Sequence, residues 1–209
     1  MNNSVEIITV NYCTPELIKR LVDSVRKFEG NIHIRVIDGS DKEPYMSQMR
    51  KIKGIELNQL GYNIHHGRGM DYGMKTSKYD WCLIMDSDVT IKRPIIKKIL
   101  EATMAKGKMI AGKKLDSYIR DKVSYAYYSL AFLLVNREFY MQIRKFGAKF
   151  KHDGAPGYKI YRYIHDNKMK VCINIFKHLG ITREDYVKHP RGGTRIKFKN
   201  KLRANVDIF

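Results

Sequence analysis

The sequence predicts an α/β domain with a mainly parallel central sheet flanked by helices, and three observations carry that prediction. Strand-length segments at Val5–Val10 and Ile32–Ile37 are separated by one amphipathic helix, which makes a βαβ unit with a right-handed crossover. A later apolar run, Trp81-Cys82-Leu83-Ile84-Met85, ends in Asp86-Ser87-Asp88, and the second strand ends in Asp38-Gly39-Ser40-Asp41. Acidic residues therefore gather at the carboxyl ends of strands, where sheets of this kind bind ligands. Finally, 209 residues with 44% apolar and 11% aromatic content suit one substantial core.

Each element follows in order. After the first strand, Thr14-Pro15-Glu16 supplies a helix N-cap, a proline at the first helical position and an acidic first turn. Leu17, Ile18, Leu21, Val22, Val25 and Phe28 recur at helical spacing, and Gly30 marks the helix end. A third strand is expected at Ile55–Leu57, a helix over His66–Ser77 and a fourth strand over Tyr79–Met85. Pro94 precedes a short amphipathic helix carrying Ile95, Ile96, Ile99 and Leu100. Further strands are expected at Met109–Lys113 and Tyr125–Val135, a helix at Arg137–Phe146, another after Pro156, and a last strand at Val171–Phe176.

Composition excludes several classes. The longest apolar runs, such as Leu130–Val135, fall far short of a membrane span, and the polar start Met1-Asn2-Asn3-Ser4 lacks the regions of a secretory signal, so a cytoplasmic protein is expected. Cys13, Cys82 and Cys172 lie within or beside apolar stretches without paired spacing, so reduced thiols are expected and not a disulfide framework or a zinc site. The net charge of +19 calls for an anionic partner: nucleic acid, an anionic membrane leaflet or a phosphorylated substrate. Basic residues crowd Lys188 to Arg203, which reads either as a solvated tail or as a binding surface.

The acidic tripeptide carries the most chemistry. Asp86 and Asp88 are ionised at neutral pH, and side chains two apart on an extended segment face the same way, so both reach one hard divalent ion. Magnesium or manganese held in that manner commonly shares its coordination with substrate phosphates. Acidic residues at a strand end are also common turn formers.

Several stretches, taken in order, resemble the family 2 glycosyltransferases, whose GT-A fold is a single nucleotide-binding α/β domain. They are Ile7–Tyr12 with Pro15-Glu16-Leu17 and Ser24-Val25, then Val36–Asp41, Asp86-Ser87-Asp88 as a DxD motif, and Ala131–Phe139. The resemblance covers most of Val5–Gly180 and implies a catalytic domain over residues 1–180 followed by a basic tail over 181–209. It implies donor contacts at Thr9, Tyr12, Asp38, Arg68, Asp86 and Ser87. Tyr12 would lie near the base, unless it is only a packed loop aromatic, and Asp38 would accept from the uracil or thymine ring N–H. Arg68 would meet the pyrophosphate at a helix N-terminus, although Asp71 stands where an asparagine is common; His65 and His66 read as surface residues.

By the same resemblance Asp88 would touch Mn2+ or Mg2+ directly, Asp86 would hold the ribose or a metal-bound water, and His178 would be a third ligand or a diphosphate contact. Asp153 would be the general base of an inverting transfer, its alternative being a helix cap; His152 replaces the usual acidic neighbour. The implied reaction moves a hexose from a UDP-sugar, or less readily a dTDP-sugar, to a glycan or lipid-linked acceptor, with the tail holding the protein peripherally at an anionic membrane. Two other classes compete: a nucleic-acid-binding module, disfavoured by the absence of a recognised motif, and a sugar nucleotidyltransferase.

Overall fold

The computed structural model describes residues 4–120, 123–151 and 155–190. The chain runs β1 (Val5–Asn11), α1 (Pro15–Glu29), β2 (His33–Asp38), α2 (Tyr45–Arg50), β3 (Glu56–Gln59), α3 (His66–Thr76), β4 (Trp81–Met85), β5 (Thr90–Ile91) and α4 (Ile96–Ala105). It continues through β6 (Ile110–Arg120), β7 (Val123–Asn136), α5 (Arg137–Arg144), α6 (Tyr158–Asp166), β8 (Cys172–Asn174), α7 (Ile175–His178), α8 (Arg183–Tyr186) and β9 (Val187–Lys188). Seven strands form one sheet in the order β3-β2-β1-β4-β7-β6-β8, and β5 pairs with β9 in a separate ribbon. Strands β1 to β4 are mutually parallel; β7 enters antiparallel to both β4 and β6. This is the mainly parallel α/β sheet that the sequence predicts.

Alternation along the strands sorts the core onto two faces. Ile7, Val36 and Leu83 join α1 and α4 on one side, while Ile8, Ile37 and Ile84 join α3, α5 and α6 on the other. Helix α3 comes unusually close to β1, because Gly69 and Gly73 face it. A Cβ at Gly73 would lie 2.6 Å from Ile8 Cγ2, and one at Gly69 would lie 2.7 Å from Val10 Cγ1. Only a residue without a side chain fits there, and the result is an α3 N-terminus held beside the carboxyl ends of β1 and β4.

Several local expectations change in detail. Thr14 stands at the N-cap of α1, but its hydroxyl donates to Asn11 Oδ1 at 2.7 Å instead of capping the helix. Helix α4 is capped from a distance: Glu29 Oε1 accepts from the amides of Ile95 at 2.6 Å and Ile96 at 3.1 Å. Burial holds the Glu29 carboxyl above its ordinary value, and those two amides offset only part of the rise. The strand expected over Val171–Phe176 ends at Asn174, where α7 begins. Helix α8 and strand β9 fall within the stretch assigned from sequence to the tail, so the folded body runs on past residue 180. Cys13, Cys82 and Cys172 are free thiols, and among the described residues no helix is long and apolar enough to cross a membrane.

Candidate functional site

At the carboxyl ends of β1 and β2 the chain is tied into one rigid corner. Asp38 Oδ1 accepts from Asn11 Nδ2 at 2.9 Å, the Ser40 amide at 3.1 Å and the Ser40 hydroxyl at 2.6 Å, while Oδ2 accepts from Gln59 Nε2 at 2.9 Å. The Ser40 oxygen in turn accepts from the Cys13 amide at 2.9 Å. Asp38 is fully buried, and its carboxylate organises the loops around it. Thr9 is likewise shielded from solvent in β1, and its hydroxyl has no hydrogen-bond partner among the described residues. The residues at the rim are Tyr12, half-buried, and exposed Asp41, whose Oδ2 accepts from the Tyr12 hydroxyl at 3.2 Å. Burial and the Asp41 charge both raise the Tyr12 phenol, so the ring keeps its proton.

The acidic tripeptide follows β4 as a tight turn, with the Val89 amide donating to the Asp86 carbonyl at 3.0 Å. The two carboxylates converge through this turn and not through the extended geometry expected from their spacing. Asp88 and the largely buried Ser87 stand under the ribbon of β5 and β9. Its register pairs Ile91 with Val187 and Thr90 with Lys188, so the next residue, His189, arrives beside the turn. His189 Nε2 lies 3.2 Å from Asp88 Oδ1 and 3.6 Å from Asp86 Oδ2. From the other side, His66 in the first turn of α3 places Nε2 at 3.1 Å from Asp86 Oδ1. That approach is off the hydrogen-bond direction, and Asp86 Oδ1 is buried with no hydrogen-bond donor among the described residues.

One ligand atom from each of Asp86, Asp88 and His189 falls within 4.8 Å of the others, a spacing suited to a divalent ion. Carboxylate oxygens with one imidazole fit manganese well and magnesium adequately, and an orphaned buried carboxylate oxygen is what a bound cation would satisfy. His178 lies outside that group, exposed at the end of α7. Sequence reasoning therefore named the two carboxylates and missed both His66 and His189.

Arg68 lies exposed in the first turn of α3. Asp71, one turn on, is occupied structurally: Arg144 donates from Nε at 2.7 Å and Nη2 at 3.0 Å, and the Tyr140 hydroxyl donates at 2.7 Å. Burial raises this carboxyl, but the bonds from Arg144 and Tyr140 outweigh it and hold Asp71 below its ordinary value. A lowered folded value means stability that is present above the unfolded carboxylate range and lost as pH falls through the folded one. Asp71→Ala is expected to cost about 1–3 kcal/mol at pH 7 by leaving both donors without their acceptor. Urea unfolding should show that gap shrinking below about pH 4; an undiminished gap in acid would assign the loss to packing.

Asp153 and His152 lie outside the described residues, as does the basic stretch beyond Pro190.

Comparison with known proteins comes at three levels. Residues 4–170 match the family model described as Glycosyl transferase family 2. No curated protein sequence matches the chain. Among solved structures, TarS 1-349 of S. aureus superposes with a TM-score of 0.61 at 13% identity, covering 89% of this chain and 60% of that one. The same fragment in complex with UDP-GlcNAc gives 0.61 at 14% identity, covering 91% and 59%. The mannosyltransferase PcManGT from Pyrobaculum calidifontis, in complex with GDP-Man and Mn2+, gives 0.58 at 12% identity, covering 81% and 54%. The chain thus spans less than two thirds of the length of these structures, and the likeness at such identity is one of fold.

Proposed function

Since the chain belongs to glycosyl transferase family 2, we propose that it is an inverting enzyme that moves a hexose from a UDP-sugar to a hydroxyl of a glycan or lipid-linked acceptor, with a dTDP-sugar as the second choice of donor. The observation that carries the reading is the convergence of Asp86, Asp88 and His189, with one buried carboxylate oxygen lacking a donor, at the carboxyl end of the central strand β4. A nucleotide-sugar site needs a cation pole there, and UDP-GlcNAc and GDP-Man with Mn2+ are bound by structures of the same fold.

In this reading Asp88, Asp86 and His189 hold Mn2+ or Mg2+, and the ion when bound offsets charge on the diphosphate. Tyr12 offers its ring face to the base at the rim of the corner organised by Asp38, and Arg68 presents a guanidinium fork to phosphate oxygens beside the N-terminus of α3. Asp153 takes the proton of the acceptor hydroxyl as its oxygen bonds to the anomeric carbon and the bond to the nucleoside diphosphate breaks on the opposite face. Residues 1–180 together with His189 supply this chemistry, and the basic segment beyond Pro190 holds the protein at an anionic membrane surface.

Thermal-shift and calorimetric titration with a panel of nucleotide sugars, with and without manganese, tests the proposal. A stabilising, manganese-dependent response to one sugar nucleotide is expected, and no response to any of them overturns it. Asp88→Ala is expected to weaken that binding at least about tenfold, since even outer partners of a metal site contribute 10–100-fold to affinity. Release of nucleoside diphosphate, and not pyrophosphate, separates transfer of the sugar from nucleotidyl transfer.

A further inference from the structure

A cleft of 690 Å³ runs along the outer face of α3, away from the acidic turn, and is closed on its far side by residues 149–151. Its charged lining is almost all of one sign: Arg68 and Lys75 from α3, Lys149 and Lys151 from the segment after α5. The carboxylate in the lining, Asp71, is already held by Arg144 at 2.7 Å. Lys149 also acts on Asp71 electrostatically, and among the described residues no carboxylate is paired with Arg68 or Lys75. Tyr62 and Tyr72 add flat apolar surface to the walls.

We propose that this cleft is a subsite for a phosphate group carried by the acceptor, so that the enzyme glycosylates a phosphorylated molecule; this rests on the glycosyl-transfer reading above. Net charge alone left nucleic acid, membrane and phosphorylated substrate open, and a flat basic face would favour a membrane. Here the cations converge from two elements into a concavity large enough for a phosphate and the sugar or alcohol beside it. Apart from Arg68, which stands between the two, position separates the cleft from the donor. Lys75 lies roughly 13 Å along the helix from His66, which reaches the acidic turn, so a diphosphate at the turn lies out of its reach. Lys151 at its other wall precedes Asp153, the proposed base for the acceptor hydroxyl, by two residues, a span of at most about 7 Å between Cα atoms. A phosphate bound between Lys75 and Lys149 would therefore hold an acceptor within reach of that base.

The test uses the full chain and glycerol 3-phosphate as the probe, titrated by calorimetry into wild type, the Lys75→Ala/Lys149→Ala double variant, and a charge-matched control, Lys97→Ala/Lys98→Ala, on the exposed face of α4. The cleft variant is expected to lose about tenfold or more in affinity, the worth of one charge-assisted contact, while the control stays within about twofold of wild type. UDP-sugar binding should be unchanged in both. Equal losses in the two variants would reduce the effect to net charge, no loss in the cleft variant would remove the subsite, and a parallel loss of UDP-sugar affinity would make the cleft part of the donor site; each overturns the proposal. Glycerol 3-phosphate binding in the cleft without any nucleotide-sugar binding would leave the phosphate site standing and sink the glycosyl-transfer reading instead. Vesicles containing phosphatidic acid distinguish the source: binding lost with the cleft variant identifies a lipid-borne phosphate, and binding unaffected by it identifies a water-soluble one.

Discussion

Asp153→Ala is expected to lower sugar transfer by about 10²–10⁴-fold, the contribution of a positioned general base, while manganese-dependent UDP-sugar binding remains at the wild-type level. The split follows from the proposed roles: the carboxylate would act on the acceptor hydroxyl, and the donor would draw its binding energy from the acidic turn, Tyr12 and Arg68. A capping role would give a different signature, a loss of about 1 kcal/mol in stability. The N-cap position of α6 is taken by Gly157. Phe150 and Lys151, which precede Asp153 in the sequence, are held in place. The Phe150 amide donates to the Tyr140 hydroxyl at 3.2 Å, that hydroxyl donates to Asp71 at 2.7 Å, and the Lys151 amide donates to the Pro156 carbonyl at 3.0 Å. Those bonds tie the described residues on either side of Asp153 to α5 and α3, whose first turn brings His66 to Asp86. Full transfer activity in Asp153→Ala would refute the assignment, and Asp153→Asn should behave as the alanine variant does, because shape without basicity does not accept the proton.

The strands were legible wherever burial on both faces forced an apolar run. β4 is apolar throughout and was placed to within two residues, and α3 to within one, since Met70 and Met74 with the small residues Gly67, Gly69 and Gly73 mark its buried face. Two-residue strands have no period to read, which is why β5 and β9 went unseen and with them His189. The ribbon joins a mid-chain segment to the last described one, and no local pattern signals that union. Lys177-His178 offered a histidine in the familiar place, yet the histidine beside the carboxylates is the one that follows the buried Val187 of β9. Asp38 shows the opposite limit. Its identity and its position at a strand end were readable, but its four hydrogen bonds come from three residues of β1, β3 and its own loop, and only their assembly makes it a buried hub. Glu29 capping α4 is illegible for the same reason.

At the opposite end of the sheet, Arg35→Met is expected to destabilise the protein by about 3–5 kcal/mol, the cost of stranding a buried charge. Glu6 is fully buried in β1, and its Oε2 accepts from Arg35 Nε at 3.1 Å across the strand pair. Arg35 is itself buried and also donates from Nη1 to the carbonyl and hydroxyl of Thr76, both at 3.2 Å, at the end of α3. What would remain near Glu6 is weak: His33 Nε2 at 4.0 Å, already committed to Glu56 at 2.9 Å, and the Cys82 thiol at 4.0 Å, whose pKa burial pushes up to about 12. Neither replaces a guanidinium. Glu6→Leu combined with Arg35→Met should recover most of the loss, because an apolar pair of similar volume removes both desolvation penalties at once. Urea midpoints for the two single variants and the double close the cycle, with strongly non-additive values expected for residues in contact. If Arg35→Met unfolded within about 0.5 kcal/mol of wild type, as a surface substitution would, Glu6 would not be a buried charge held by Arg35. Since Arg35 ties β2 both to β1 and to the end of α3, a loosened pair should also loosen the helix that carries His66 and Arg68. Donor affinity in Arg35→Met should then fall at temperatures where the fold itself is still intact.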